Sequence, residues 1–364
     1  MRNRGLIICK IKLNSIWNKV IFGTGTIILL AGSHHALFGG ITLRIIKLCF
    51  VLLACGISLH AQSGWTLQPS NVKGDLVAVF FTSSTKGWIA GDNGYLASTT
   101  DGGKSWSKYA LNATDDINEI YFRNEDNGYL VAGRKLFLTR DAGRTWRETR
   151  IFRSGDFGAG TPEFLSIRFS DKKRGYVIGS VLRRVKDEDV VVDSLLMRTE
   201  DEGETWQKMT VPTKTELFHM DFNGNSHGWI VGDGGVILAS NDEGRTWTKQ
   251  SSGTSMPLYS VDFRDDKEGY AVGKSGAIVR TENGGRSWEK PVTNFTDTLM
   301  RVDFADDKNG WIVGYSGNIL RSTDKGKTWT RQESATRERL YGLHMDKKYG
   351  WAVGAKGVIL QFQK

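Results

Sequence analysis

Cysteine is nearly absent from this chain, and its few copies are confined to one end. Cys9, Cys49 and Cys55 all precede residue 62, so the body that follows has no thiol. Such a body forms no disulfide and no thiolate metal site, and it is indifferent to redox compartment. Proline is scarce as well, five residues against 43 glycines. Glycine without proline excludes collagen-like and linker sequence and points to many tight turns. Acidic residues are missing from residues 1–61, which carry Arg2, Arg4, Lys10, Lys12, Lys19, Arg44 and Lys47. Of the net charge of +9, those seven cations leave only +2 on the remainder. A body so close to neutral lacks the basic field of a nucleic-acid binder, and nucleic acid is excluded as a partner. Nor does any stretch of it show the spacing of an amphipathic helix.

The first 61 residues read as a leader. Arg44-Ile-Ile-Lys47 precedes a short apolar run, residues 48–59, and then His60-Ala61. Basic segment, apolar core and small residue form the pattern of a secretory signal, cut near Ala61. The run is short for a membrane span. A second reading is a lipoprotein signal, because Leu52-Leu53-Ala54-Cys55-Gly56 resembles a lipobox with Cys55 as the lipidated residue. Another apolar stretch, residues 21–37, pushes this signal far from Met1, and a true start downstream is expected. The protein is therefore expected to be exported, periplasmic or extracellular, free or lipid-anchored through Cys55.

From residue 62 on, the chain repeats. A glycine followed by an aromatic recurs seven times, at Gly87, Gly128, Gly175, Gly228, Gly269, Gly310 and Gly350. A tryptophan ladder runs through Trp65, Trp106, Trp146, Trp206, Trp247, Trp288 and Trp329. Each unit of about 40 residues holds four short apolar segments with strand alternation and glycine turns, the signature of a propeller blade. The last unit stops after its third strand, and Trp65 begins a fourth strand with no third before it. Joining the two closes the ring and removes exposed edges. The expectation is an all-β, seven-bladed β-propeller over residues 62–364, closed by its N-terminal strand in the last blade.

Between third and fourth strands sits Ser/Thr-x-Asp-x-Gly-x-Ser/Thr-Trp. Its acid is Asp101, Asp141, Asp201, Asp242 and Asp324, with Asn283 in the fifth copy, and its tryptophan is Trp106, Trp146, Trp206, Trp247, Trp288 and Trp329. The acid accepts backbone N–H groups across its own turn, and the tryptophan supplies an apolar plate between sheets. Matched carboxylates raise the question of calcium, but the dense oxygen run of a calcium loop is lacking and asparagine serves once. No metal or cofactor is expected.

These Asp boxes resemble those of sialidases, sortilin-type receptors, propeller glucanases and the photosystem II stability/assembly factor family. The unit at residues 310–329, Gly-Trp-Ile-Val-Gly through Thr-Trp, is most similar to the last. That resemblance, over residues 64–364, implies an exported protein without catalytic role that binds membrane-protein partners. A sialidase would carry an Arg-Ile-Pro signature and a glucanase a facing carboxylate pair across two propellers; the signature is absent and one propeller is present.

Three sets of residues are candidate sites. Seven residues before each repeat glycine stand Phe80, Tyr121, Arg168, Asp221, Asp262 and Asp303, with His344 near the same place. Being on the innermost strand, they are expected to line the axial channel, with Arg168 pairing among the aspartates. Arg198, Arg280 and Arg321, eight before a tryptophan, are expected to form a basic patch for a carboxylate-bearing partner. Extra length at residues 153–164 and 181–195 is expected as two long loops on one face, with Arg183, Arg184 and Lys186 in a recognition surface. The function expected is a monomeric scaffold or assembly factor for a membrane or envelope complex; the alternative is a glycan-binding or glycoside-hydrolysing propeller.

Overall fold

The computed structural model describes residues 21–23, 26–28, 64–153 and 155–363. The signal segment, Ala61 and Cys55 lie outside the described residues. Of the leader unit only a backbone hairpin is described, Ile21–Gly23 paired with Thr26–Ile28. The unit from Ser63 onward is a seven-bladed β-propeller, with seven antiparallel sheets whose consecutive strands are neighbours.

Blade 6 shows the plan. Its inner strand is Leu299–Phe304, its second Gly310–Gly314, its third Ile319–Ser322 and its outer Thr330–Arg331. The second strand is buried throughout and the outer strand exposed. A strand covered on both faces needs no alternation, which is why Gly-Trp-Ile-Val-Gly reads as an unbroken apolar run. Every inner strand has a β-bulge, near its start in six blades, as between Leu299 and Arg301, and mid-strand, between Phe164 and Ser166, in the lengthened inner strand of blade 3. A bulge re-aims one side chain, here at the axial end of each blade.

The repeat glycine has a steric cause. A Cβ at Gly87 would lie 2.5 Å from the Phe81 ring, and one at Gly310 would lie 2.6 Å from Phe304. The inner-strand phenylalanine crosses the start of the second strand and leaves no room there. That same ring meets its own Asp-box tryptophan edge-on, as Phe81 meets Trp106 at 85°. The second-strand aromatic of the preceding blade stacks on it, as Trp88 does on Phe122. The core is therefore distributed over seven clusters, each drawn from two adjacent blades. Gly64–Leu67 pairs with Ile359–Gln363 as the outer strand of blade 7, Trp65 opposite Phe362.

Two blades depart from the plan. In blade 5 the outer strand shrinks to one bridge between Arg280 and Glu289. In blade 3 the extra length at residues 181–195 is strand, not loop. Gly175–Val185 and Glu188–Thr199 stay paired out to Val185 opposite Glu188, across a Lys186-Asp187 turn with φ of 47° and 67°. The inner strand joins them from Thr161. Cross-strand pairing satisfies backbone groups that a loop would leave to water.

Candidate functional site

The inner strands enclose an axial cavity of about 240 Å³, and Phe80, Tyr121, Arg168, Asp221, Asp262, Asp303 and His344 all line it. The pairing differs from the sequence expectation. Each aspartate accepts a backbone N–H from the next inner strand: Asp221 from Phe263 at 2.8 Å, Asp262 from Phe304 at 3.0 Å and Asp303 from Met345 at 2.7 Å. They tie blade to blade. Arg168 pairs instead with Glu119, Nη1 to Oε1 at 2.9 Å.

Glu119 belongs to a second layer, two residues earlier on the inner strands. It is 2% exposed and accepts from Arg301 Nη2 at 3.0 Å across the axis and from the Ile167 N–H at 2.9 Å. Burial pushes its carboxyl up, but the Arg168 charge, the contact with His219 and the Arg301 charge outweigh this and hold it well below the usual range. Burial, then the Arg301 charge, pushes His219 down to about 3, so the ring is neutral. Its Nε2 lies 2.9 Å from Arg168 Nη2 and accepts from it, because arginine can only donate. Its Nδ1 faces the backbone of Val261, 3.1 Å from the carbonyl and 3.2 Å from the N–H.

The aspartate layer is tuned the other way. Burial raises Asp221 to about 6 and Asp303 to about 7. Asp262 is raised well above its usual range by burial and then by the charges of Asp221 and Asp303. Three carboxyls so placed do not all ionise together. His344 is pushed down to about 4 by burial, its ring 5.0 Å from that of Phe80.

Above these layers the seven bulges aim Val77, Asn118, Leu165, Phe218, Tyr259, Met300 and Tyr341 into the mouth of the channel. Six of these are apolar or aromatic, all are half-exposed, and they line a cup of about 320 Å³. The Phe218 and Tyr259 rings lie 5.1 Å apart, and the Tyr341 hydroxyl donates to Asp75 at 3.1 Å. The blade 3 hairpin leaves the ring at this same end, because inner strands start where second strands finish.

The three repeated arginines are each engaged within their own surroundings. Arg198 pairs with Glu200 at 2.7 Å, and Arg280 with Glu282 at 3.0 Å and Glu289 at 3.6 Å. Arg321 lies over Trp311 and Phe362. On the hairpin, Arg184 pairs with Asp189 at 3.3 Å, while Arg183 and Lys186 are exposed.

The Asp boxes occupy the opposite end. In the first, Asp101 accepts from the Ser105 N–H at 2.9 Å and hydroxyl at 2.6 Å and from the Thr99 hydroxyl at 2.8 Å. These bonds, the Ser105 hydroxyl first, lower its carboxyl to about 2. Asn283 keeps the Ser287 N–H bond and reverses the other, its amide donating to the Ser287 hydroxyl at 2.9 Å. Each box is also bonded to a turn of its own blade, as Gly102 N–H is to the Thr85 carbonyl at 2.9 Å. Among the described residues no group of three or more His, Cys, Asp and Glu is placed to hold a metal ion.

The repeat is specific enough for a family match. The model described as photosynthesis system II assembly factor YCF48 matches residues 57–151, 106–214, 198–294 and 288–363. The chain belongs to this family. Solved structures of similar fold include YCF48 bound to a D1 peptide, 19% identical, with 82% of this chain and 95% of that chain covered and a TM-score of 0.66. YCF48 from Cyanidioschyzon merolae is also 19% identical, with 82% and 98% covered and a TM-score of 0.65. A GH74 enzyme from Niastella koreensis is 14% identical, with 82% of this chain but 53% of that chain covered and a TM-score of 0.63. At such identities these likenesses show the fold alone. No curated protein sequence matches significantly.

Proposed function

We propose that this family member is an exported, non-enzymatic scaffold that holds a protein partner while a membrane or envelope complex is assembled. The observation that carries this reading is the family match, which spans nearly the whole propeller. A protein of the same fold is solved with a bound peptide. The blade 3 hairpin adds a surface suited to a partner. Its register puts Val185 and Val190 on one face with Arg183, and both valines are more than two-fifths exposed. An apolar pair on a protruding hairpin favours protein contact over free solvation.

Affinity capture from an envelope extract of the host, quantified by mass spectrometry, tests the reading. The expected result is enrichment of one membrane or envelope protein and no turnover in a glycoside screen. The alternative, a glycan-binding or hydrolytic propeller, draws on the three channel carboxyls with raised proton affinity. Turnover of a glycoside that is abolished by Asp221→Ala, Asp262→Ala or Asp303→Ala contradicts the scaffold reading.

A further inference from the structure

The channel mouth combines two features that the propeller plan does not require. A bulge in each blade turns one side chain into the mouth, but the plan does not dictate its type. In this chain Val77, Leu165, Phe218, Tyr259, Met300 and Tyr341 form a half-exposed apolar ring from six different blades; Asp75, Asp92 and Arg301 also line the cup, Arg301 with its charge taken up by Glu119. Concave apolar surface left in water is costly, and such patches mark binding sites. The second feature is charge. On the same end, at or beside the starts of the inner strands of blades 2 to 4 (Ile117–Phe122, Thr161–Phe169 and Leu217–Asn223), lie Asp115, Asp116, Glu163, Glu216 and Asp233. Glu163 and Glu216 flank Ser180, Glu163 across the strand pair and Glu216 through a hydrogen bond at 3.2 Å. Among the described residues no lysine or arginine pairs with any of these five acids, whereas Glu119, Glu202, Glu204 and Glu243 are all ion-paired.

We propose that the mouth is a docking cup for an extended segment of a partner protein in which an apolar side chain is flanked by lysine or arginine. The apolar side chain enters the bulge-built ring, and the flanking cations meet the carboxylates of blades 2 to 4. The local electrostatics fit such a guest. Burial and then Asp189, Asp116 and Asp115 raise Glu163; burial and, against the Ser180 bond, Glu163 and Asp233 raise Glu216. Acids that crowd one another without a counter-charge gain most when a cation arrives. The occupant is thus opposite in sign to the carboxylate-bearing partner expected from the arginine ladder, whose members are already engaged. This inference rests on the scaffold reading and specifies its ligand.

The test uses the purified protein and three short, blocked, fluorescein-labelled peptides with cores Lys-Phe-Arg, Glu-Phe-Glu and Lys-Gly-Arg. Binding is read by fluorescence anisotropy at two salt concentrations. The first peptide is expected to bind, the second not to, and the third to bind about tenfold more weakly for want of its anchor. The double variant E163Q/E216Q, close in shape to the parent, is expected to weaken the first peptide about tenfold and to flatten its salt dependence. Met300→Lys is expected to abolish binding, with thermal melts confirming that both variants are folded. Equal binding of the acidic peptide, no binding of any peptide, or unchanged affinity in a folded E163Q/E216Q protein overturns the proposal. If the captured partner is retained by E163Q/E216Q and is not displaced by the Lys-Phe-Arg peptide, the cup falls and the scaffold reading stands. If no partner is captured at all, the scaffold reading falls whatever the peptides do.

Discussion

Trp351 of blade 7 lies flat on Phe81 of blade 1, ring centroids 3.3 Å apart and planes 4° from parallel. The contact repeats around the ring, as Trp229 on Phe263 and Tyr270 on Phe304 show. Only between blades 6 and 7 does it change. There Met345 stands in the phenylalanine position, and Trp311 packs edge-on against Phe362, the residue opposite Trp65. One end of the chain thus completes the core next to the other.

Closure makes this seam a global determinant of stability. Trp351→Ala removes a fully buried plate and is expected to cost about 3–5 kcal/mol. Deletion of residues 65–68, which exposes the edge of blade 7, is expected to lower the melting temperature of the whole propeller in one transition. An unchanged melting temperature in either variant contradicts the account.

The Asp boxes are expected to tolerate Asp242→Asn and not Asp242→Ala. Asn283 shows that an amide preserves the turn, whereas alanine removes the bonds from the Thr246 N–H and hydroxyl that hold it and costs about 1–2 kcal/mol. Because both carboxylate oxygens of Asp242 are occupied by the turn, EDTA is expected to leave the melting temperature unchanged. A fall on chelation would show that the boxes bind metal.

Glu119 pairs with Arg168 of the adjacent blade and with Arg301 across the axis. Glu119→Gln leaves Arg168 and Arg301 short of a counter-charge and is expected to destabilise by about 3–5 kcal/mol. Adding Arg301→Met should recover part of that loss. A thermal-melt double-mutant cycle showing no coupling contradicts the assigned geometry.

Asp303 has a proton affinity near 7 in the fold and about 4 in the unfolded chain. Between these values the folded state keeps a proton that the unfolded state has lost. Its stabilising contribution is full below about pH 4 and is lost as pH rises through 7. His219 works in reverse: its contribution is present above its unfolded value near 6.5 and is lost as pH falls toward 3. Asp303→Asn keeps an acceptor for the Met345 N–H and removes the first effect. Its unfolding free energy relative to wild type is expected to be higher at pH 8 than at pH 5, by an amount on the order of 1–2 kcal/mol. Equal differences at the two pH values contradict the assignment.

The propeller was legible because glycine and tryptophan ladders repeat with the blades. A third ladder went unread: Phe81, Phe122, Phe169, Phe222, Phe263 and Phe304, each six before the repeat glycine. It explains that glycine. The channel ring was legible from strand position, but its pairing was not. The layer of Glu119, His219 and Arg301 has no common residue type, and only ring closure sets Glu119 opposite a residue 182 positions away. The mouth ring was hidden because a bulge shifts alternation by one residue, which the apolar pattern alone does not reveal. The blade 3 hairpin read as loop because its strands are highly charged, and its turn uses Lys186 and Asp187 rather than glycine.

The central claim is that this propeller acts by holding a protein partner on the end bearing the hairpin and the mouth. The most direct measurement replaces residues 183–190 with an Asn-Gly turn and repeats the quantitative capture beside wild type. The account predicts an unchanged melting temperature and loss of the enriched partner. Equal capture by a folded variant, or no partner enriched by wild type, would contradict it.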